Sequence, residues 1–403
     1  MARGEMRLIA AVCLLMTGCG SFHHLTGNAS APRVSTLETA SAARIASGAR
    51  VASECPAAPL PLSFPASPTS TRNLVIAKLR GSDQTVIRDV TDIDHPATVA
   101  TLDVAGWGGA GWGGDGWGSP SFVSPSTISY LGDARRLMRS PVTGSGAQVL
   151  LTACGSATIV AFSWSPDGQS FTFVLEPADE SAHIFEWHLV SLGVDRLIGL
   201  APAWCHCGNG SEDTSLDVGF SPDGHRVSLV DSFWNGTNLQ VRSLDGSLVG
   251  AEVRGDLSQQ NPVTMGVWSG TDLFFRDLKG VERWRGGTIV QFLPGVSWLH
   301  PRASPAGGQI VYAVRGGDGL AHINLVDTAS GLSRQLSSQP RTLPMFLNSR
   351  YIWYRGERLC ASNEPGMCIK TTLTGKTYIY DLQTGTEWES IITNIADVWP
   401  HGA

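Results

Sequence analysis

Residues Ser163 to Gly168 read SWSPDG, and nearly the same letters return as GFSPDG from Gly219. Each copy stands between two runs of alternating apolar residues, in TIVAFSWSPDGQSFTFVLE and LDVGFSPDGHRVSLVD, and WLHPRASPAGGQIVYAVRG repeats the arrangement. Proline at the second position of a tight turn presets φ, Asp or Ser hydrogen-bonds the local backbone, and Gly takes the positive φ that closes the turn. The unit is a β-hairpin. A third strand follows and ends in a glycine turn, as in AHIFEWHLVSLG, TNLQVRSLDG, AHINLVDTASG and KTYIYDLQTGT, and a short fourth strand comes after it. The 46 glycines, 22 prolines and only 16% charged residues fit a chain of short strands and many turns.

Four strands per repeat is the make-up of a propeller blade. Weaker copies of the turn occur at FVSPST, VWSGTD, FLNSRY and the terminal DVWPHG, so that seven hairpin starts are counted. Ser124, Ser165, Ser221, Ser269 and Ser304 lie 41, 56, 48 and 35 residues apart, around the roughly 40–50 residues usual for a blade. The longest interval holds an insertion, APAWCHCGNGSEDT. NLVIAKL, TVIRDVT and ATVATLD supply three strands with no Ser-Pro hairpin before them, while IADVWPHGA supplies one strand with nothing after it. Together they make one blade whose inner strand is C-terminal, which closes the ring and leaves no long edge exposed. The expected fold is all-β, a β-propeller of seven four-stranded blades over residues 73–403, with six blades as the alternative count.

The Ser165–Gly168 and Ser221–Gly224 turns and their flanking strands resemble the WD40-like repeats of the TolB-type propeller family, and the repeat pattern covers about residues 73–403. The resemblance implies a propeller that works outside the cytoplasm. Members of that family have six blades and an extra N-terminal domain, neither of which is read in this sequence. The family's contacts with envelope proteins are therefore not carried over, since a fold alone does not imply a function.

Arg3 and Arg7 precede the apolar run LIAAVCLLM, which at about nine residues suits a secretory h-region and is too short for a membrane-spanning helix. The run ends in Met16-Thr17-Gly18-Cys19, which resembles a bacterial lipobox. Residues 1–19 then form a lipoprotein signal peptide with Cys19 as the lipidated residue; an ordinary signal peptide cut nearby is the other reading. Residues 20–72, rich in Ser, Ala, Thr and Pro, read as a flexible tether. The chain is expected outside the cytoplasm, lipid-anchored to a bacterial membrane, and monomeric. A formal charge of -6 without a dense Lys/Arg block offers nothing to a nucleic-acid backbone.

In an up-and-down blade the Ser-Pro turns share one face with the third-to-fourth turns, while second-to-third turns and blade linkers share the other. GWGGAGWGGDGWGSPS, the WCHC insertion and ERLCASNEPGMCIKTTLTG all fall on the linker face. Insertions concentrate where function is carried. That face is the expected recognition surface, with Trp107, Trp112, Trp117, Trp204 and His206 as candidate contacts. Three indoles in a glycine matrix suit sugar rings or a partner protein; a loop that plugs its own channel, or a low-complexity linker, is the other reading.

Six cysteines beyond Cys19 in an exported chain favour disulfides. Cys360 is expected to pair with Cys368 inside one loop, and Cys154 with Cys205 or Cys207, leaving Cys55 for the remaining thiol. Two thiols flanking His206 are also soft-metal ligands, but the paired CxxC units of a zinc site are missing and no metal is expected. Asp217, His300, Arg302 and Asp397, on inner strands, are read as polar lining of the central channel.

Enzyme signatures are sparse. No G-x-S-x-G elbow occurs and no second domain is long enough for a hydrolase. Gln169 after Gly168 breaks a sialidase-type Asp-box, and DLQTGTEW resembles a quinoprotein repeat but occurs once, so no cofactor is expected. The preferred reading is a non-catalytic, membrane-anchored binding module for an envelope protein or glycan. The alternative is a metal-assisted polysaccharide lyase or hydrolase with its site in the channel.

Overall fold

The computed structural model describes residues 72–399 except 83, 103–118, 144–145, 177–183, 192, 203–215, 234–235, 256–263 and 361–370. Its first three strands, Leu74–Leu79 (β1), Thr85–Asp89 (β2) and Ala97–Leu102 (β3), form one sheet with the last strand, Ile392–Trp399 (β28). Blade two holds Ser121–Ser124, Thr127–Asp133, Arg136–Pro141 and Gln148–Thr152 (β4 to β7). Blade three holds Thr158–Trp164, Ser170–Glu176, Ile184–Ser191 and Val194–Pro202 (β8 to β11). Blade four holds Leu216–Phe220, Arg226–Phe233, Gly236–Ser243 and Val253–Gly255 (β12 to β15). Blade five holds Thr264–Ser269, Asp272–Asp277, Gly280–Arg285 and Thr288–Pro294 (β16 to β19). Trp298–Ala303, Gln309–Arg315, Ala321–Asp327 and Ser333–Gln335 (β20 to β23) make blade six. Arg341–Phe346, Tyr351–Leu359, Thr371–Asp381 and Glu387–Ser390 (β24 to β27) make blade seven. Seven four-stranded antiparallel sheets result, as the repeat count predicts, and β28 pairs with β1 from Trp399 opposite Leu74 to Ile392 opposite Leu79.

The Ser-Pro turns show why those letters recur. In blade three the Gly168 N–H donates to the Ser165 carbonyl at 2.8 Å, and Gly168 sits at φ 68°. Ser165 Oγ accepts the Ser170 N–H at 2.9 Å and donates to Asp167 Oδ1 at 2.6 Å, while Asp167 also accepts the Gln169 N–H. Blade four repeats each bond with Ser221, Asp223, Gly224 and Arg226. In blade six, where Asp is replaced, Ser304 Oγ turns to the Gly307 carbonyl at 2.6 Å. Serine thus satisfies the buried polar backbone of the turn, a group that would otherwise be costly to leave unpaired.

Strands buried on both faces read as continuous apolar runs rather than as strict alternation. In β1, Val75 and Ala77 join an apolar cluster shared with blade seven, while Leu74 and Ile76 join one shared with blade two. In β9, Phe171, Phe173 and Leu175 face blade two and Val174 faces blade four. The blade four–five contact is filled by Val230, Trp268, Phe275 and Trp284, and a larger cluster unites blades five to seven. Every junction between neighbouring blades is therefore filled by apolar side chains, and the ring is held by packing all the way round.

Inner strands depart from regular pairing. Met265 in β16, His300 in β20 and Leu343 in β24 have φ of 53°, 50° and 54°. Each is followed by Gly or Pro and lies where the ladder gains one residue, between Thr264 and Val267, Leu299 and Arg302, and Thr342 and Met345. These are β-bulges whose extra residue bends the strand, and a left-handed backbone at a non-glycine residue costs about 1–2 kcal/mol.

Candidate functional site

The inner strands β28, β4, β8, β12, β16, β20 and β24 surround a solvent-open space of about 430 Å³. It runs up to the Ser-Pro turns, where Pro166, Pro222 and Pro305 form part of its lining. Its wall mixes apolar side chains, Phe162, Trp164, Phe220, Trp268, Met345 and Phe346, with the polar Ser121, Ser163, Asp217, Arg302 and Asp397, and its exposed surface is about as polar as it is apolar. Phe162 is half-buried, which leaves part of its ring to the channel, whereas Trp164, Phe220 and Trp268 are buried.

Three of the four polar channel residues expected from the sequence share this space. Asp397 is committed to structure as well as to lining: its Oδ2 accepts the Ser121 hydroxyl at 2.8 Å and the Phe122 N–H at 2.6 Å. The carboxylate therefore ties the C-terminal strand of blade one to the inner strand of blade two. Arg302 donates through Nη1 to its neighbouring Pro301 carbonyl at 3.0 Å. His300 instead lines a separate, narrow niche between blades six, seven and one, with room for about one water molecule, which it shares with Arg302, Arg355 and Asn394.

Arg355 and Asn394 were not singled out by sequence reasoning. A usable signal existed for the first: in YIWYRGERL an arginine interrupts the apolar run of a second strand, which is buried on both faces. Asn394 offers no comparable signal, because polar residues are common on inner strands. The bulges were also readable, since LHPRA and TLPMF put proline inside a strand, where it cannot join the ladder.

The candidate contacts Trp107, Trp112, Trp117, Trp204 and His206 lie outside the described residues, as do Cys19, Cys55, Cys205, Cys207 and Cys368. Cys154 and Cys360 are both disulfide-bonded. Among the described residues no group of three or more His, Cys, Asp or Glu side chains is placed to hold a metal ion.

Fold and channel together define the class: a seven-bladed β-propeller closed by its last strand. No protein-family model matches the chain, and no curated protein matches it. Solved structures similar to it include TolB from Acinetobacter baumannii, at 14% identity and TM-score 0.40, covering 68% of this chain and 66% of that one. A Mycobacterium tuberculosis puromycin-hydrolyzing peptidase is similar at 14% identity and TM-score 0.52, covering 80% of this chain and 53% of that one. A prolyl endopeptidase is similar at 15% identity and TM-score 0.51, with coverage of 91% and 56%. At such identities the likeness is one of fold. The chain spans less than two thirds of the length of each of these three proteins.

Proposed function

We propose that this chain is an extracytoplasmic, lipid-anchored propeller that acts as a non-catalytic binding module for an envelope protein or glycan. The observation that carries the reading is the channel: about 430 Å³, open to solvent, with polar and apolar surface in nearly equal shares and charged groups of both signs, Asp217, Asp397 and Arg302, on its wall. Ligand sites combine apolar surface for affinity with placed polar groups for orientation. The leader with Cys19, the tether over residues 20–72 and the Trp107–Trp117 loop support the address and a contact surface on the linker face.

The test uses the full-length chain isolated with its anchor. Purified envelope proteins and defined oligosaccharides are titrated with and without chelator, and the recovered ligand is analysed for cleavage. The reading expects saturable binding of an unaltered ligand, indifferent to chelation and weakened by Phe162→Asp. Turnover of a bound polysaccharide that chelation abolishes overturns it in favour of the lyase or hydrolase alternative. Labelled fatty acid in the native chain, lost in Cys19→Ser, checks the anchor.

A further inference from the structure

Two recesses on the channel wall meet at Arg355 and Asn394. The first, about 340 Å³, is lined by Lys78, Leu79, Gly81, Ser82, Thr393 and these two residues. Lys78 lies near the end of β1 opposite Asn394, close to the start of β28, which places this recess toward the linker face. The second is the narrow niche with His300 and Arg302. Arg302 and Met345 line both that niche and the main channel. Arg302, Arg355 and Lys78 thus mark a cationic line along the wall of blades six, seven and one, from the channel to the opposite face.

No Asp or Glu is among the described residues lining either recess. Asp83, between β1 and β2 in sequence, lies outside the described residues. The remaining polar groups, the Ser82 and Thr393 hydroxyls, the Asn394 amide and the His300 imidazole, are all able to donate hydrogen bonds.

Arg355 lacks the acceptors that several buried arginines of this chain have; Arg283 Nε is also without a hydrogen-bond partner, but its guanidinium lies over the Phe292 ring, 5.9 Å from the ring centre. Arg341 meets Glu387 at 2.6 Å, Arg315 meets Glu357 at 3.3 Å, and Arg276 donates to Ser297 Oγ and the Trp298 carbonyl, each at 3.1 Å. Arg355 is half-buried, and its side chain makes no hydrogen bond or ion pair with a described residue. Burial pulls its pKa below the ordinary arginine value, with no neighbouring carboxylate to offset that. A guanidinium still keeps its proton in a protein, and a partly desolvated cation without a counter-charge is costly. Its planar fork matches a carboxylate or phosphate in bidentate fashion.

We propose that the larger of these recesses is an oxyanion-binding site, in which Arg355 takes a carboxylate or phosphate group of the ligand with Lys78 beside it, while Arg302 adds positive charge from the narrow niche behind. The site deepens the binding-module reading and rests on it. The ligand it selects is an acidic one, and its anionic group enters at the wall of blades six, seven and one.

The full-length chain is titrated calorimetrically with inorganic phosphate and, separately, with citrate, at constant ionic strength set by chloride. Saturable binding is expected, weakened by at least about tenfold in Arg355→Gln and reduced in Lys78→Gln. Preference for citrate over phosphate assigns the site to carboxylates, and the reverse order assigns it to phosphates. Since Arg355→Gln removes an uncompensated charge, its melting temperature without anion is expected at or above that of the native chain. Should that variant not fold, the anion-induced rise in melting temperature of the native chain, and its loss in Lys78→Gln, decide the matter. Absence of saturable binding and of any melting shift overturns the site, as does undiminished binding in a folded Arg355→Gln. If no anion binds while a protein or glycan ligand still does, the oxyanion site falls and the module reading stands. If cleavage is found alongside Arg355-dependent anion binding, the module reading falls and the site stands.

Discussion

His188 makes the stability of this propeller depend on alkaline pH. It lies in β10 facing blade two, only 4% exposed, and stacks on Phe173 with ring centres 4.8 Å apart and planes 15° from parallel. Its Nδ1 is 3.0 Å from Asp195 Oδ1, and its Nε2 is 3.5 Å from Glu186 Oε2. Burial works against the charged ring, but the two carboxylates outweigh it and hold the pKa up at about 9. In the unfolded chain the same group titrates near about 6.5. A folded pKa above the unfolded one adds stability that is complete below the unfolded value and is lost as pH rises through the folded value. With these two values the loss between about pH 6 and about pH 9.5 is about 3 kcal/mol. The assay is urea unfolding of the full-length chain followed by tryptophan fluorescence across that range, for the native protein and for His188→Gln. Glutamine does not titrate, so the variant is less stable at pH 6 and the gap between the two proteins closes toward pH 9.5. Lysines and tyrosines common to both proteins cancel in the difference. Two curves that stay parallel from about pH 6 to about pH 9.5 would refute the reasoning.

Two further perturbations read contacts between blades. Asp397→Ala removes the acceptor for the Ser121 hydroxyl and the Phe122 N–H, and a loss of about 2–3 kcal/mol in denaturant unfolding is expected. Asp397→Asn, which keeps one acceptor oxygen, is expected to lose less. Gly168→Ala forces a Cβ to within 2.9 Å of the Val123 carbonyl at φ 68°, whereas Gly224→Ala, at φ 72°, meets only Pro166 Cδ at 3.7 Å. Left-handed strain is common to both, about 1–2 kcal/mol, so the first variant is expected to melt at the lower temperature. Equal melting temperatures would mean that the blade three turn does not bear on blade two.

Those contacts also mark how far the sequence could be read. The Ser165 and Ser221 turns were legible because each needs Ser, Pro, Asp and Gly for separate local reasons, and four local requirements leave little room for another fold. Ring closure was legible by subtraction: three strands at one end and one at the other leave a single way to complete a blade. The site was less so. Asp217, Arg302 and Asp397 were found because they stand on inner strands, yet nothing local shows that Asp397 reaches Ser121, 276 residues earlier in the chain. His188 lies within FEWHLV, and only the turn that brings Asp195 alongside makes it a buried cation. Arg355 becomes conspicuous only once the partners of the other arginines are known.

The bulges connect scaffold and site. β12 pairs with β13 without interruption from Leu216 to Phe220, and its contribution to the channel's charge is Asp217. β20 and β24 each carry an extra residue held in a left-handed backbone, and both of these residues, His300 and Leu343, line the niche with Arg302 and Arg355. Strain of that kind persists only where surrounding structure over-determines it, and it collects where a chain must aim side chains away from regular geometry. Here the surrounding structure is the apolar cluster of blades five to seven, whose buried members include Met265, Leu299, Phe346 and Tyr354. Irregular pairing itself runs round the ring, since β28, β4 and β8 also carry register shifts. What sets blades six and seven apart is that their left-handed residues, His300 and Leu343, lie beside Arg302 and Arg355, so that the distortion there shapes the cationic wall.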